Sequence, residues 1–294
     1  MERYKKKYLI ITLFLLPALL FYTAILVYPI FKSFYLSAFT WNGISGLNIR
    51  FVGFKNYYYI FTDPVFWGSV KNILYFMVIN ILVQIPVGLL LAILLASGIK
   101  FVRFFKAAFF MPIILSATSV SLMFRFIFYP DTGLLDVVLT KLHLQNLIHI
   151  WLSDPKISIF VVILVGCWQN LGVVMIIFLS GIVGIPDSVN ESASLDGTNF
   201  FQRIIFITIP MIWDVMKVNI ILLIIGTTKV FDIIYVMTSG GPNNSTDVMA
   251  TLLYSEAFNN NKYGTASAIA VVIFLLGFSL TIAANKIMNR ESLE

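Results

Sequence analysis

The residues best suited to chemistry lie inside the most apolar segments of the sequence. Trp168-Gln169-Asn170 places two neighbouring amides near the centre of one apolar run, and Gly226-Thr227-Thr228 places hydroxyls near the middle of another. Such groups are costly in hydrocarbon unless other helices or a polar ligand satisfy them. They suit a neutral ligand rich in hydroxyl groups, whereas ion filters and proton relays need carbonyl rings, carboxylates or histidines. Hydrogen bonding between helices is the alternative, and for Gln169 and Asn170 both remain open.

The titratable residues form no comparable cluster. His143 and His149 share one polar segment and Cys167 is the single cysteine, so neither a histidine metal site nor a disulfide is expected. A membrane-embedded enzyme acting on lipid or glycan is the alternative class, and its only candidates, Asp214 and Lys217, lack further groups around them. Because the chain has no Gly-x4-Gly-Lys-Ser/Thr motif, it does not bind ATP through a phosphate-binding loop. We expect no catalytic residue, no metal and no cofactor.

The composition indicates which elements position these residues. The chain has 294 residues, of which 59% are hydrophobic and 12% charged, so lipid is the expected solvent for most of it. Six apolar runs are long enough to cross a bilayer, at residues 8–30, 72–97, 107–129, 158–184, 210–237 and 265–285. The predicted fold class is therefore an all-α integral membrane protein with six transmembrane helices, the first of them an uncleaved anchor.

Lys and Arg residues predict the orientation. With the N-terminus in the cytoplasm, the inner segments carry ten of these residues in 44 positions, against seven in 96 positions outside. The density of Lys and Arg is thus roughly threefold higher in the inner segments, which predicts that both termini are cytoplasmic. The basic residues lie at membrane edges and form no basic face, so nucleic acid is not an expected partner.

Charged residues inside the spans are expected near the span ends. If the fifth span begins near Pro210, Asp232 lies roughly 33 Å along the helix, at the outer surface, with Lys229 about one turn below it. Asp214 and Lys217 then lie near the inner surface. The spacing of three residues within each couple is explained by mutual pairing or by snorkelling of the side chains to the membrane surface. The middle of the membrane is thus predicted to hold no formal charge.

A polar segment in the predicted cytoplasmic region interrupts the apolar runs. After Pro186, which ends the fourth span, Asp187 or Ser188 is expected to cap a short helix, and Ser188 with Glu191 has capping-box spacing. Gly197 is expected to end this helix in the left-handed conformation. The small side chains 192–194 leave a shallow face that a partner can approach closely, whereas an ordinary linker needs neither caps nor such a face.

This segment resembles the EAA-X3-G-X9-I-X-LP loop of ABC importer permeases. Glu191, Gly197 and Pro210 match in spacing, while the central alanine is Ser192 and the leucine is Ile209. Phe231-Asp-Ile-Ile-Tyr235 and Thr238-Ser-Gly-Gly-Pro242, together with N-terminal motifs, extend the resemblance over nearly the whole chain. The sequence is similar to the carbohydrate-uptake branch that includes the maltose permeases.

The resemblance implies a role for three groups of residues. A coupling helix that docks on a cytoplasmic ATPase comprises Glu191, Ser192, Ala193, Leu195, Asp196 and Gly197. The substrate pathway comprises Trp168, Gln169, Asn170, Leu223, Gly226, Thr227 and Val230. Residues that face an external substrate-binding protein are Gly240, Gly241 and Pro242.

The resemblance also implies the assembly and its place in the cell. The chain is expected to be one permease subunit of a binding-protein-dependent ABC importer in the bacterial plasma membrane, with a second permease subunit, two ATPase subunits and a binding protein. It would form half of the transmembrane pathway for a sugar, with an oligosaccharide as the expected solute, and would couple ATP hydrolysis by a partner to alternating access. The expected division is 1–68 (tail, first helix and external loop), 69–288 (transmembrane domain) and 289–294 (tail).

Overall fold

The computed structural model describes residues 2–44 and 49–289, and nearly all of the regular structure there is helical. The elements are α1 (Glu2–Tyr22), α2 (Tyr28–Ser37), β1 (Phe39–Thr40), β2 (Arg50–Phe51), α3 (Lys55–Thr62), α4 (Pro64–Ala96), α5 (Val102–Ile114), α6 (Ala117–Ile127), α7 (Leu134–Lys141), α8 (Ser158–Val183), α9 (Asp187–Leu195), α10 (Phe200–Arg203), α11 (Ile209–Met211), α12 (Trp213–Thr228), α13 (Asp232–Met237), α14 (Met249–Tyr254) and α15 (Tyr263–Met288). One-turn π-helices occupy Thr23–Val27, Ile204–Thr208 and Ser255–Asn259, and a 3-10 turn covers Gln145–Leu147.

One compact unit comprises the described residues of Met1–Asp63 and Leu252–Phe274. Its apolar helix runs without interruption from Ile11 to Ser37, and the most apolar window of this helix has no buried residue. The helix is therefore longer at its C-terminal end than the predicted span 8–30. Pro29 does not end it, because the π-helical turn before α2 leaves this proline at the start of a helical segment, where the missing N–H is tolerated.

The segment after this helix is held together by a short β-ladder. In the antiparallel pair, Phe39 lies opposite Phe51 and Thr40 lies opposite Arg50. The side chain of Asn56 donates hydrogen bonds to the carbonyl oxygens of Ser37 at 2.8 Å and Phe39 at 2.9 Å. Backbone groups at the end of the helix are thereby satisfied by a side chain rather than by water.

The second unit comprises the described residues of Pro64–Thr251 and Leu275–Glu294, and its core lies between α4 and α8. The two helices approach closely at Gly88, where an added Cβ would lie 2.8 Å from Val174 Cγ1. Small residues allow such contacts, which drive helix association in membranes. The buried apolar residues around this contact are Leu89, Ala92, Leu95, Val174, Met175, Phe178, Leu179, Ile185 and Ile212.

Two of the six predicted spans are bent rather than straight. The helical path bends by 95° between α5 and α6, at a break after Ile114 within the predicted span 107–129. The path also bends by 75° between Phe200–Met211 and α12, at a break at Ile212. Helix α12 ends at Thr228, well before the predicted end of the fifth span. Each break closely follows a proline, Pro112 or Pro210, which removes a backbone donor from the helix.

Among the described residues, four helices are long and apolar enough to cross a membrane, and the two bent pairs raise the number to six if each pair is one span. Helix α8 (Ser158–Val183) and helix α15 (Tyr263–Met288) agree closely with the predicted spans 158–184 and 265–285. Helix α4 begins at Pro64, earlier than the predicted span 72–97. Its first two turns lie before the apolar run from which the span was predicted.

Candidate functional site

A cavity of about 390 Å³ lies among α4, α8 and α12 in the second unit. Six of the seven residues assigned to the substrate pathway line it, namely Gln169, Asn170, Leu223, Gly226, Thr227 and Val230. Trp168 is not among the lining residues. Its ring instead meets the edge of the Phe124 ring, with 5.2 Å between the two centroids.

A hydrogen-bonded cluster centred on Asn80 forms one wall of this cavity. Asn80 Nδ2 donates to Thr227 Oγ1 at 3.0 Å, and Asn80 Oδ1 accepts from Gln84 Nε2 at 3.0 Å and from Cys167 Sγ at 3.1 Å. The cluster therefore ties α4 to both α8 and α12. Our sequence assignment omitted Asn80 and Gln84, although two amides four residues apart in an apolar run are a signal of a polar helix face.

The two amides singled out in α8 have partners within the protein. Gln169 Nε2 donates at 3.4 Å to the carbonyl oxygen of Leu115, which lies at the break between α5 and α6. Asn170 Nδ2 donates at 2.9 Å to the carbonyl oxygen of Gly166, one turn earlier on the same helix. Both side chains also line the cavity, so they combine hydrogen bonding between protein groups with access to the space inside.

Two charged side chains, which the sequence placed near the outer end of the fifth span, line the same cavity. Lys229 and Asp232 are both lining residues. The prediction assumed one continuous helix from Pro210, whereas α12 ends at Thr228 and α13 begins at Asp232. Lys229 and Asp232 therefore do not lie one turn apart on a single helix. The turn between α12 and α13 brings both side chains to the cavity.

The other charged couple also lacks the expected arrangement. Lys217 Nζ donates a hydrogen bond to Asn289 Oδ1 near the end of the described chain. Asp214 lies in the first turn of α12, where the helix dipole favours a carboxylate. Each residue thus has a structural explanation that needs no catalytic partner.

The predicted coupling residues form and follow helix α9. Its first cap differs from the prediction, since Pro186 is the N-cap residue and no side chain caps the helix. The far end agrees with the prediction, because Gly197 has φ +69°. Gly197 N–H donates to the Ser194 carbonyl at 3.2 Å and Thr198 N–H donates to the Ala193 carbonyl at 3.2 Å, which is the bond pattern of a Schellman motif.

Helix α9 has one buried face and one fully open face. Ala193 is 3% exposed, whereas Leu195 is 89% exposed. A leucine this exposed on a well-formed helix leaves nearly all of its apolar surface in contact with solvent. Glu191, Ser192, Asp196 and Gly197 are exposed as well, so the predicted docking residues other than Ala193 are accessible.

A rigid elbow connects α9 to the bent fifth span. Asn199 and Gln202 form a reciprocal capping box at the start of α10, with both hydrogen bonds at 2.9 Å. Arg203 Nη2 donates back to Ser194 Oγ at 2.8 Å, and Thr198 Oγ1 donates to the Ala193 carbonyl at 2.7 Å. The capping box lies here rather than at Ser188 and Glu191, where the sequence predicted it.

The predicted binding-protein-facing residues lie in a tightly bonded turn after α13. Gly240 has φ +83°, and an added Cβ there would collide with the carboxyl group of Asp247. The peptide bond between Gly241 and Pro242 is cis, and Thr246 Oγ1 donates to the Gly241 carbonyl at 2.8 Å. Burial raises the pKa of the Asp247 carboxyl, and the hydrogen bond from Thr251 Oγ1 opposes that shift.

A polar side chain from α4 holds this turn in place. Asn72 Nδ2 donates to the carbonyl oxygens of Ser245 at 2.9 Å and Asp247 at 2.8 Å. Gly241 and Pro242 also line a cavity of about 320 Å³ together with Arg125. Two of the three predicted residues therefore border an open cleft, while Gly240 shapes the backbone behind it.

Bent apolar helices around a polar cavity, with a glycine-ended surface helix between two spans, define a multi-pass helical membrane transport subunit. The chain belongs to the family described as "Binding-protein-dependent transport system inner membrane component", whose model matches residues 59–291. The protein is thus an inner membrane component of such a system, and the alternative of a membrane-embedded enzyme is not favoured.

Similarity to known proteins extends over nearly the whole chain. It is 37% identical to the probable ABC transporter permease protein YurN of Bacillus subtilis, over 93% of this chain and 94% of the relative. It is 32% identical to the multiple sugar-binding transport system permease protein MsmF of Streptococcus mutans, over 90% and 89% of the two chains. The resemblance to carbohydrate-uptake permeases is therefore confirmed.

A solved structure has the same fold. A chain from the crystal structure of a bacterial alginate ABC transporter, in complex with its alginate pentasaccharide-bound periplasmic protein, matches with a TM-score of 0.85. The two chains are 21% identical, and the match covers 99% of this chain and 98% of that one. The predicted fold class, a helical ABC importer transmembrane domain, is confirmed.

Proposed function

We propose that the chain is one of two permease subunits of an ABC importer and that the solute is an oligosaccharide. The observation that carries the proposal is the cavity, which is lined on three helices by amide side chains and the Thr227 hydroxyl, with Lys229 and Asp232 beside them. Such groups match the hydroxyls of a neutral sugar. The name of the multiple sugar-binding relative agrees with this substrate class.

Helix α9 is the site at which an ATPase subunit docks. The exposed Leu195 supplies an apolar anchor, and Glu191 supplies a negative charge for basic residues of the ATPase. Apolar anchors that enter a pocket of the partner supply much of the energy of an interface. The chain itself hydrolyses nothing, and ATP is hydrolysed by two separate subunits.

The remaining partners follow from the same proposal. A second permease subunit completes the pathway, and an external binding protein delivers the solute near Gly240, Gly241 and Pro242. Both termini and α9 lie in the cytoplasm, which the density of Lys and Arg supports. The elbow between α9 and α10 transmits the closure of the ATPases to the bent fifth span, so that the cavity opens alternately to the two sides.

The docking of the ATPase is tested by replacing its proposed anchor. In Leu195→Asp, we expect the ATPase to be lost from the purified complex, because a charge would replace a buried apolar contact of the interface. The fold should persist, because Leu195 is 89% exposed within this chain. The measurement is co-purification of the ATPase with the tagged permease.

Leu142→Asp is the matched control. Leu142 is 61% exposed at the end of α7, outside the coupling segment. We expect this variant to retain the ATPase at the wild-type ratio. Retention of the ATPase by Leu195→Asp would contradict the assignment of α9 as the docking helix.

A further inference from the structure

Two buried amides that line the cavity have hydrogen-bonding groups without partners. Asn219 of α12 is 1% exposed, and neither Nδ2 nor Oδ1 of its side chain has a partner. Gln84 of α4 is also 1% exposed, and its Oε1 is unpaired, although its Nε2 donates to Asn80. Because buried polar groups are nearly always satisfied in folded proteins, these unpaired atoms mark a binding site for a polar group.

Asn219 shares a helix face with residues already assigned to the pathway. It precedes Leu223 by four residues and Gly226 by seven, the spacing of side chains on one side of a helix. It lies about 12 Å from Thr227 along the helix axis, toward Trp213. The polar lining of the cavity therefore extends about two turns beyond the cluster of Asn80 and Thr227.

The unpaired atoms define the chemistry of the ligand. Two amide oxygens accept hydrogen bonds and one amide nitrogen donates them. A hydroxyl group both donates and accepts, so two neighbouring hydroxyls match this set. A carboxylate only accepts and would face the two amide oxygens, whereas an ammonium only donates and would leave the nitrogen of Asn219 unpaired.

We propose that Asn219 and Gln84 form an inner hydroxyl-binding subsite, which contacts the far end of a saccharide and determines the length of the solute that is carried. The proposal rests on the proposed function, since it extends the same cavity. It adds two residues that the assigned pathway did not contain. An ordered water that bridges the two amides is the other occupant of such a site.

Uptake by the complete transporter tests the subsite. Wild-type and variant complexes are reconstituted in liposomes with the ATPase, the second permease and the binding protein, and uptake of glucose, lactose, raffinose and maltotriose is measured. For Asn219→Leu, we expect KM for the longest saccharide carried to rise at least about tenfold, with a smaller change for shorter ones.

A matched variant and a stability measurement separate binding from structure. Val218→Leu alters the neighbouring residue, which is exposed outside the cavity, and should keep the wild-type KM. The melting temperature of Asn219→Leu should stay the same or rise, because an apolar side chain of similar shape replaces an unsatisfied amide. If the role of Asn219 were purely structural, Asn219→Leu would lower the melting temperature and would leave the dependence of KM on solute length unchanged.

The outcomes that overturn the two proposals differ. Uptake of a saccharide by the wild type, with the same KM in Asn219→Leu, overturns the subsite alone and assigns the amides to a bridging water. If the wild-type transporter carries none of the four saccharides and no saccharide of a wider oligosaccharide panel, the proposed function is overturned and the subsite with it.

Discussion

Asn80 holds three helices together with a single side chain. Its amide accepts from Gln84 and Cys167 and donates to Thr227, so both of its polar ends are used. These hydrogen bonds fix the relative rotation of the three helices, because rotation would leave the buried amide of Asn80 unpaired. The cavity can therefore keep its shape around Asn80 while the unpaired groups of Gln84 and Asn219 remain open to a ligand.

At the turn after α13, we expect Gly240→Ala to destabilise the protein. The residue has φ +83°, and the added Cβ would collide with the buried Asp247 carboxyl. Non-glycine residues in strained backbone regions cost about 1–3 kcal/mol, and the collision adds to that cost. The measurement is the thermal unfolding midpoint of the purified permease in detergent.

Gly98→Ala is the control for backbone strain alone. Gly98 has φ +76°, but an added Cβ there would have no atom within 4 Å. We expect its unfolding midpoint to fall by less than that of Gly240→Ala. Equal shifts in the two variants would show that the collision with Asp247 contributes nothing.

At the scale of elements, the straight helices were predictable and the bent ones were not. Hydropathy located α8 and α15 because a long apolar run needs a helix to satisfy its backbone in lipid. Hydropathy did not locate the breaks at Leu115 and Ile212. Other groups satisfy the backbone carbonyls that a break frees, so the residues at the break can stay apolar and leave no signal in the hydropathy. Gln169 does this for Leu115, through a contact between residues distant in sequence.

The same limit explains which site residues were predicted. Gly197 was recognisable because the left-handed end of a helix is a local requirement of the backbone. The continuous helix assumed through Lys229 and Asp232 was wrong, because tertiary packing decides that α12 ends at Thr228. The partners of Gln169 and the cluster around Asn80 depend on contacts between helices, which no local pattern specifies.

The packing of α5 on α8 depends on Gly172, and we expect Gly172→Ala to disrupt it. An added Cβ would lie 2.8 Å from Phe110 Cα and still closer to the Phe109 carbonyl oxygen. Forcing an extra methyl group against backbone costs about 1–3 kcal/mol. The free energy of unfolding in mixed micelles should fall by this amount.

Gly226→Ala is the matched control on another helix. Gly226 lies within α12, and an added Cβ there would have no atom within 4 Å. Alanine is favoured over glycine in a helix by about 1 kcal/mol, so stability should stay the same or increase. A loss equal to that of Gly172→Ala would contradict the close packing of α5 on α8.

For the whole molecule, composition alone predicted a lipid-solvated helical fold, while orientation rests on the distribution of charge. We expect a membrane-impermeant maleimide to label Leu142→Cys in intact cells and to label Leu195→Cys only after the membrane is opened. Both leucines are exposed, so accessibility within the protein does not distinguish them. The measurement is the labelled fraction on a gel, before and after permeabilisation.

The labelling pattern also bears on the coupling segment. Labelling of Leu195→Cys in intact cells would place α9 outside and exclude docking of a cytoplasmic ATPase there. Absence of labelling at Leu142→Cys in intact cells would contradict an external α7.

The burial of Cys167 makes the natural sequence convenient for spectroscopy. It is the only thiol in the chain, it is buried, and it donates a hydrogen bond to Asn80. A water-soluble, thiol-reactive spin label therefore reacts little with Cys167, and the natural sequence gives little background signal. Pairs of labels placed on either side of the break at Ile212 would report the angle of that hinge at each stage of a working cycle, with the native polar cluster left intact.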